Sequence, residues 1–468
     1  MTDGEHREPT TRMLLLFLLF GVSLLAFDLV TLHSTNAVEI NTSIPTIRRE
    51  EFAITWWLQH GYFHTAGMKV NPDVQNNPRL YRSVTGGFIV PGFLVAKLSQ
   101  AITGYPDWRL MRMQNEAVSM LASVLLGLLG FRLSRRFGVR PFHAVALAFM
   151  LQAVYFTFPD NLWIFWEMTP RAWWLPFACI FLLADEARLD RPSDRTLMIV
   201  QAAAAFLLTY MEHIAGTAFI ASYVILALLL GERRPSWRQL AIVAIIPLIA
   251  AIAMFQAQFA LAKALNPELP VTGAAFMKRT GLDGETIYYN GHLDIAHRRD
   301  IAARNFAPEN IRPLLFQWPW LFFTSVTALV VMMIAGMRGR VPRPATVSVL
   351  SLLGAYLIYA AVFSQAIVVH PYYYDMMLFT PLMIALFIVV PSLLEPVTRE
   401  QGLIIVITVF LGIWLSWVQM RDYAIWYPQP EPKKVGHGGR TVPRVEQWTG
   451  VPLPQPAEDA QEGRALSL

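Results

Sequence analysis

Apolar stretches of about twenty residues recur along this chain, and they limit its fold more than any other feature. A helix crosses a hydrocarbon layer with about 20 mostly apolar residues. Eleven stretches qualify: Met13–Leu32, Arg112–Leu133, Phe142–Phe158, Ala172–Ala184, Thr196–Met211, Ile214–Leu230, Leu240–Leu261, Trp320–Met337, Ala345–Val369, Met376–Leu394 and Leu403–Gln419. With 55% hydrophobic and only 15% charged residues in 468, the chain holds more apolar surface than soluble domains of this size hide. The expected fold class is all-α, a polytopic transmembrane helix bundle of about 11 spans, because only internally bonded backbone survives in lipid. The span at Ala172 is short, and a start nearer Trp163 is the alternative. Gly86–Ala101 is also apolar, but Pro91, Gly92 and Lys97 interrupt it, so it reads as a re-entrant or surface helix. Met13–Leu32 lacks a small-residue cleavage site and reads as a retained anchor.

The arginines fix the expected orientation. Arg132, Arg135, Arg136 and Arg140 follow the second span, and Arg188, Arg191 and Arg195 follow the fourth. Arg233, Arg234 and Arg238 follow the sixth, and Arg338, Arg340 and Arg343 the eighth. Short cytoplasmic loops collect Lys and Arg, and these are alternate loops. The reading is a cytoplasmic N-terminus, an extracytoplasmic C-terminus and an inner (plasma) membrane location. The net charge of +5 is used up in these turns, so no nucleic-acid partner is expected. Two long loops, 33–111 and 262–319, fall on the outer side, and chemistry is expected there. Residues 1–425 read as one membrane domain, and 426–468 as a Pro-rich mobile tail. The single Cys179 excludes an intrachain disulfide.

Four outer groups carry candidate chemistry. The first is the amphipathic stretch Thr46–Phe63, with Trp56 and Trp57 suited to the headgroup plane and Arg48, Arg49, Glu50 and Glu51 at its start. The acids are either an N-terminal charge cluster favoured by the helix dipole or a general base at the membrane surface. The second is His370-Pro-Tyr-Tyr-Tyr-Asp375, which fits either an aromatic belt or donors to phosphate and faces for a sugar ring. The third is the basic second loop, with Lys278, Arg279, His292, His297, Arg298, Arg299 and Arg304. It fits a phosphate leaving group or a salt-bridge network with nearby acids. The fourth is Glu212-His213, between apolar runs too short to reach fully across the layer, with Asp28, Glu167 and Arg171 as further polar candidates. No metal motif, Walker loop or dinucleotide glycine loop is present, so neither a metal nor a cofactor is expected.

These residues resemble the GT-C superfamily of integral-membrane glycosyltransferases, nearest to the branch of dolichyl-phosphate-mannose–protein mannosyltransferases and the lipid A aminoarabinose transferase. That family has an acidic pair early in the first outer loop and then a helix ending in a small-residue turn. Arg49-Glu50-Glu51-Phe52 and Leu58-Gln-His-Gly-Tyr62 are similar. Ser83–Phe93 and Ala101–Gly104 resemble its Gly/Pro segment, Arg112–Gly138 its second span, and His370-Pro-Tyr-Tyr373 its late His/Tyr pair. One departure is that the family's first acid is aspartate, whereas position 50 is glutamate. The resemblance implies transfer of a sugar from a polyprenyl-phosphate donor to a hydroxyl of a lipid, glycan or protein acceptor, inverting and metal-independent. It implies Glu50 or Glu51 as base, with Arg49, Trp56, Arg171, His213, Lys278, Arg279, His370, Tyr372 and Tyr373 binding substrate. Membrane lipids complete the expected partners. The rivals are a lipid or saccharide transporter using Asp28, Glu212 and His213, and a non-catalytic scaffold.

Overall fold

The computed structural model describes residues 10–34, 45–72, 77–106, 108–156, 170–230, 236–272, 287–288, 292–293, 319–362, 373–394 and 414. Helices dominate. They are α1 (Thr10–Ser34), α2 (Pro45–His60), α3 (Val90–Thr103), α4 (Trp108–Arg136), α5 (Pro141–Phe156), α6 (Trp174–Arg188), α7 (Arg195–Met211) and α8 (His213–Leu229). Then come α9 (Trp237–Leu265), α10 (Pro319–Met337), α11 (Arg343–Val362) and α12, which runs from Tyr373 to Leu394. Every expected span coincides with a helix except Leu403–Gln419, of which all but residue 414 lies outside the described residues. Within α4, α9, α11 and α12 are segments of at least eighteen residues that are long and apolar enough to cross a membrane. Gly86–Ala101 forms a 3-10 turn, Gly87–Ile89, followed by α3. The Pro-rich tail from 426 lies outside the described residues.

Two helices change pitch at prolines. Ala241–Ile245 within α9 is a π turn just before Pro247, and Ala385–Val389 within α12 is another just before Pro391. Proline brings no N–H to the ladder, so the preceding carbonyls are re-registered by the wider turn. The packing between helices is mostly apolar, centred on α4, α5, α6, α8, α11 and α12. One polar clasp interrupts it. Gln152 on α5 is fully buried and donates from Nε2 to the Phe17 carbonyl of α1 at 2.9 Å. Gly21 and Gly127 flank it, and a Cβ on either would lie 3.0–3.2 Å from the Gln152 amide. Small residues let helices approach closely enough for such a bond.

Contacts sort the helix ends into two groups. At one end lie the start of α4, the start of α6, the end of α7, the start of α8 and the end of α9. There α7 and α9 meet a three-stranded sheet of β1 (Met68–Pro72), β2 (Pro78–Thr85) and β3 (Val271–Thr272). β1 and β2 are antiparallel, while β3 pairs in parallel with β2, Leu80 opposite Val271 and Tyr81 opposite Thr272. β3 belongs to the second long loop and the hairpin to the first, so the two loops are joined. A separate pair, β4 (Ile287–Tyr288) and β5 (His292–Leu293), is antiparallel.

The arginine-rich turns cluster at the other end. Glu186, only 2% exposed, accepts from Arg132 Nε at 2.9 Å and from Arg136 Nε at 2.6 Å, tying α4 to α6. Arg136 also reaches the more exposed Asp190 at 2.6 Å. Its hydrogen bond holds the Asp190 carboxyl below the usual carboxylate range, against partial burial. Asp190's contribution is present above the unfolded-chain pKa of about 4 and is lost as pH falls through the lower folded value. Breaking a buried pair leaves an uncompensated charge, so Glu186→Gln is expected to cost about 3 kcal/mol. Asp190→Asn is expected to cost under about 1 kcal/mol. Thermal unfolding of the purified variants checks the ratio, and equal losses would show that the two carboxylates are equally embedded.

Candidate functional site

The site is assembled where α2 lies on the sheet. Apolar residues recur along α2 at helical spacing, so Ala53, Ile54 and Trp57 turn inward against Phe88, Ile89, Phe93 and Ala96. Trp57 is buried within the protein rather than offered to headgroups. Its Nε1 donates to Thr65 Oγ1 at 3.0 Å, and Thr65 Oγ1 donates in turn to the Met68 carbonyl at 2.9 Å. This chain of bonds fixes the start of β1.

On β1 the side chains alternate. Met68 packs with Leu80, Phe255, Ala262 and Leu269 against the end of α9. Lys69 points to the opposite face and forms an ion pair with Glu50 of α2. Both partners are almost fully enclosed, at 4% and 5% exposure, and Glu51 beside them is equally buried. The Lys69 ammonium also stands 5.4 Å from the centre of the Tyr81 ring and 5.6 Å from that of Phe88. An ammonium near aromatic faces in a low-dielectric setting is held electrostatically by the ring quadrupoles. The group therefore comprises one enclosed cation, two carboxylates and two rings, contributed by α2, β1, β2 and the turn after β2.

That turn is pinned from four directions. The Phe88 carbonyl accepts from Gln114 Nε2 at 2.7 Å and from Trp173 Nε1 at 3.2 Å. The Gly86 N–H donates to the Gly67 carbonyl at 3.1 Å. Thr85 Oγ1 donates to the Tyr210 carbonyl at the end of α7 at 3.0 Å and accepts from Gly87 N–H at 3.2 Å. The second loop adds its own tie, since Asn266 Nδ2 donates to the His64 carbonyl at 2.9 Å. Burial, and secondarily the nearby Tyr210, push the Tyr62 hydroxyl up to about 12, so it stays protonated at neutral pH as a donor.

Glu50 and Glu51 come together with Lys69, as described. Trp56 is half-buried and its ring stacks on His60 at 3.9 Å. Glu212 is buried at the break between α7 and α8, and His213 stacks on Phe255 at 5.2 Å. This hairpin tip is therefore on the sheet side. Arg49 lies in α2, Arg171 in the 3-10 turn Pro170–Trp173 beside Gly87–Ile89, and Tyr373 opens α12. The side chains of these three are outside the described residues, as are Lys278, Arg279, His370 and Tyr372 altogether. Lys69, Tyr81, Thr85 and Gln114 are the residues that reading by motif missed. The one available signal was a lysine inside the short alternating run Met68-Lys-Val-Asn71.

No family model matches the chain, and no curated protein matches it. Among solved structures it is similar to ArnT from Cupriavidus metallidurans in the apo state, at 17% identity and a TM-score of 0.44, over 82% of this chain and 64% of that one. It is also similar to the Archaeoglobus fulgidus oligosaccharyltransferase in the apo form, at 13% identity and a TM-score of 0.47, over 90% of this chain and 57% of that one. The same enzyme tethered to an acceptor peptide overlaps at 12% identity and a TM-score of 0.39, over 89% of this chain and 55% of that one. The chain thus spans less than two thirds of the length of these proteins.

The closest packing at the site falls at Gly86. A Cβ there would lie 2.2 Å from the Gly67 carbonyl oxygen and 2.6 Å from the Trp57 ring. Backbone cannot yield as a flexible side chain does, so Gly86→Ala is expected to cost roughly 2–3 kcal/mol. It should also loosen α2 from the sheet. Unfolding midpoints, together with faster hydrogen exchange at Trp57 and Thr65, would register this. An unchanged midpoint would show that the junction adapts.

Proposed function

We propose that this protein is a membrane glycosyltransferase that moves a sugar from a polyprenyl-phosphate donor to an acceptor hydroxyl on the extracytoplasmic side, with inversion. The observation that carries the reading is the enclosed Glu50–Lys69 ion pair, set where both long loops join one sheet. A buried ion pair is a weak source of stability compared with apolar packing. Its presence at the junction of the loops fits a chemical role.

In the proposed reaction the acceptor oxygen attacks the anomeric carbon as the bond from that carbon to the phosphate oxygen breaks. The bonding pair leaves with the phosphate, and the acceptor proton passes to the Glu50 carboxylate. Phosphate departs without protonation, so one base suffices. Lys69 couples the two events. When the donor phosphate arrives, the ammonium turns from Glu50 towards it, neutralising charge that grows on the leaving group. A carboxylate released from its cation is the better proton acceptor. Lys278, Arg279, His370, Tyr372 and Tyr373 are proposed to complete the phosphate and sugar contacts, with Arg49, Trp56, Arg171 and His213 around the acceptor path.

Purified full-length protein in lipid nanodiscs, supplied with radiolabelled polyprenyl-phosphate sugars, tests the assignment. Glu50→Gln is expected to lower transfer roughly 10²–10⁴-fold. Lys69→Met is expected to lower it about 10²-fold or more, while Glu51→Gln retains activity. Full transfer by both glutamine variants would remove the base assignment. Movement of intact donor across the bilayer, with no bond broken, would instead establish a transporter.

A further inference from the structure

The opposite end of the bundle holds a second polar assembly that the transfer chemistry does not use. Arg188 closes α6 and is only 8% exposed. Its Nη1 donates to Gln201 Oε1 of α7 at 2.6 Å, whereas its Nε is buried with no hydrogen-bond partner. Gln201 Nε2 is turned to Asp185 Oδ1 at 3.3 Å and to the Tyr223 hydroxyl at 3.4 Å. The Tyr223 hydroxyl donates to the same Asp185 oxygen at 2.5 Å. Arg343 opens α11, which packs against both α8 and α6, and its Nε is likewise buried without a partner. Neither arginine forms an ion pair among the described residues; the neighbouring Glu186 is engaged by Arg132 and Arg136.

The local balance is therefore two guanidinium groups against one carboxylate, and that carboxylate is already taken up by Tyr223 and Gln201. A buried guanidinium with unfilled donors is costly unless an anion completes it. Arginine donors match phosphate oxygens in particular. Arg188 closes α6 and Arg343 opens α11, on the face holding the arginine-rich turns, where a membrane presents anionic headgroups. We propose that Arg188 and Arg343 form an anion site for a phosphate oxyanion, filled by the headgroup of an anionic phospholipid and clamping α6, α7, α8 and α11 together. The site is distinct from the Glu50–Lys69 assembly and does not depend on the reading of that assembly.

Full-length protein in phosphatidylcholine nanodiscs, with and without phosphatidylglycerol, provides the test by native mass spectrometry and thermal unfolding. Inorganic phosphate in solution forms a second arm. Wild-type protein should retain phosphatidylglycerol and unfold at a higher temperature with it. Arg343→Gln, which alters the less buried partner, and Arg188→Lys, which keeps the charge but loses the Nε donor, should each retain the lipid roughly tenfold less, the loss of about one charge-assisted bond. Equal stabilisation by inorganic phosphate would support the oxyanion site with a soluble occupant. Stabilisation by the lipid alone would support the headgroup. If wild type and both variants, each monodisperse, respond alike to lipid and to phosphate, the proposal fails.

Discussion

Backbone amides have no water to bond with inside a hydrocarbon layer, and that constraint arranges everything else in this protein. Long apolar segments become helices because only there does each N–H find a carbonyl within its own segment. Strands, 3-10 turns and charged pairs are displaced to the two ends of the bundle, where water or enclosed protein can satisfy them. The π turns before Pro247 and Pro391 show how little irregularity is tolerated within the long helices. Each repairs one missing donor and the helix then resumes. The Gln152 clasp on Phe17 is the same constraint seen from a side chain, with a buried amide led to the one carbonyl that close packing brings within reach.

The two ends use their polar groups differently. On the sheet side, an acid and an amine are drawn from elements nineteen positions apart and enclosed between Tyr81, Phe88 and the sheet. The surrounding hydrogen bonds run through backbone: Gly86 to Gly67, Gln114 and Trp173 to Phe88, Thr85 to Tyr210. A frame of that kind holds the turn after β2 in place beside the enclosed charges. On the arginine-rich side the bonds run between side chains. Glu186 and Asp190 neutralise Arg132 and Arg136, whereas Arg188 and Arg343 are left with donors to spare.

Several of these features were legible from residue order and several were not. Glu50 and Glu51 stood out because two acids precede a run of aromatic residues at helical spacing. Lys69 did not, because one lysine in a five-residue alternating strand is what any half-exposed hairpin carries. Trp57 looked like an interface residue by composition, yet the glycine at 86 leaves room for its ring inside the protein. β3 has only two residues, too few for any periodic signal, although it joins the second loop to the first. Arg188 read as one member of a solvated cytoplasmic turn, and only packing shows it enclosed.

Sequence alone settled the helical class, the placing of nearly every long helix, and the collection of arginines at alternate helix ends. Hydropathy is a local property, and transfer of apolar residues out of water acts segment by segment, so order along the chain is enough to read it. The tertiary structure decided which charges meet and which are left over. Coulombic and hydrogen-bond energies depend on distances of a few ångströms and on the dielectric around them, and both are set by groups far apart in the chain. Glu50 gained a cation, and Arg188 went without an anion, for reasons that exist only after α2, the sheet and the helices have packed.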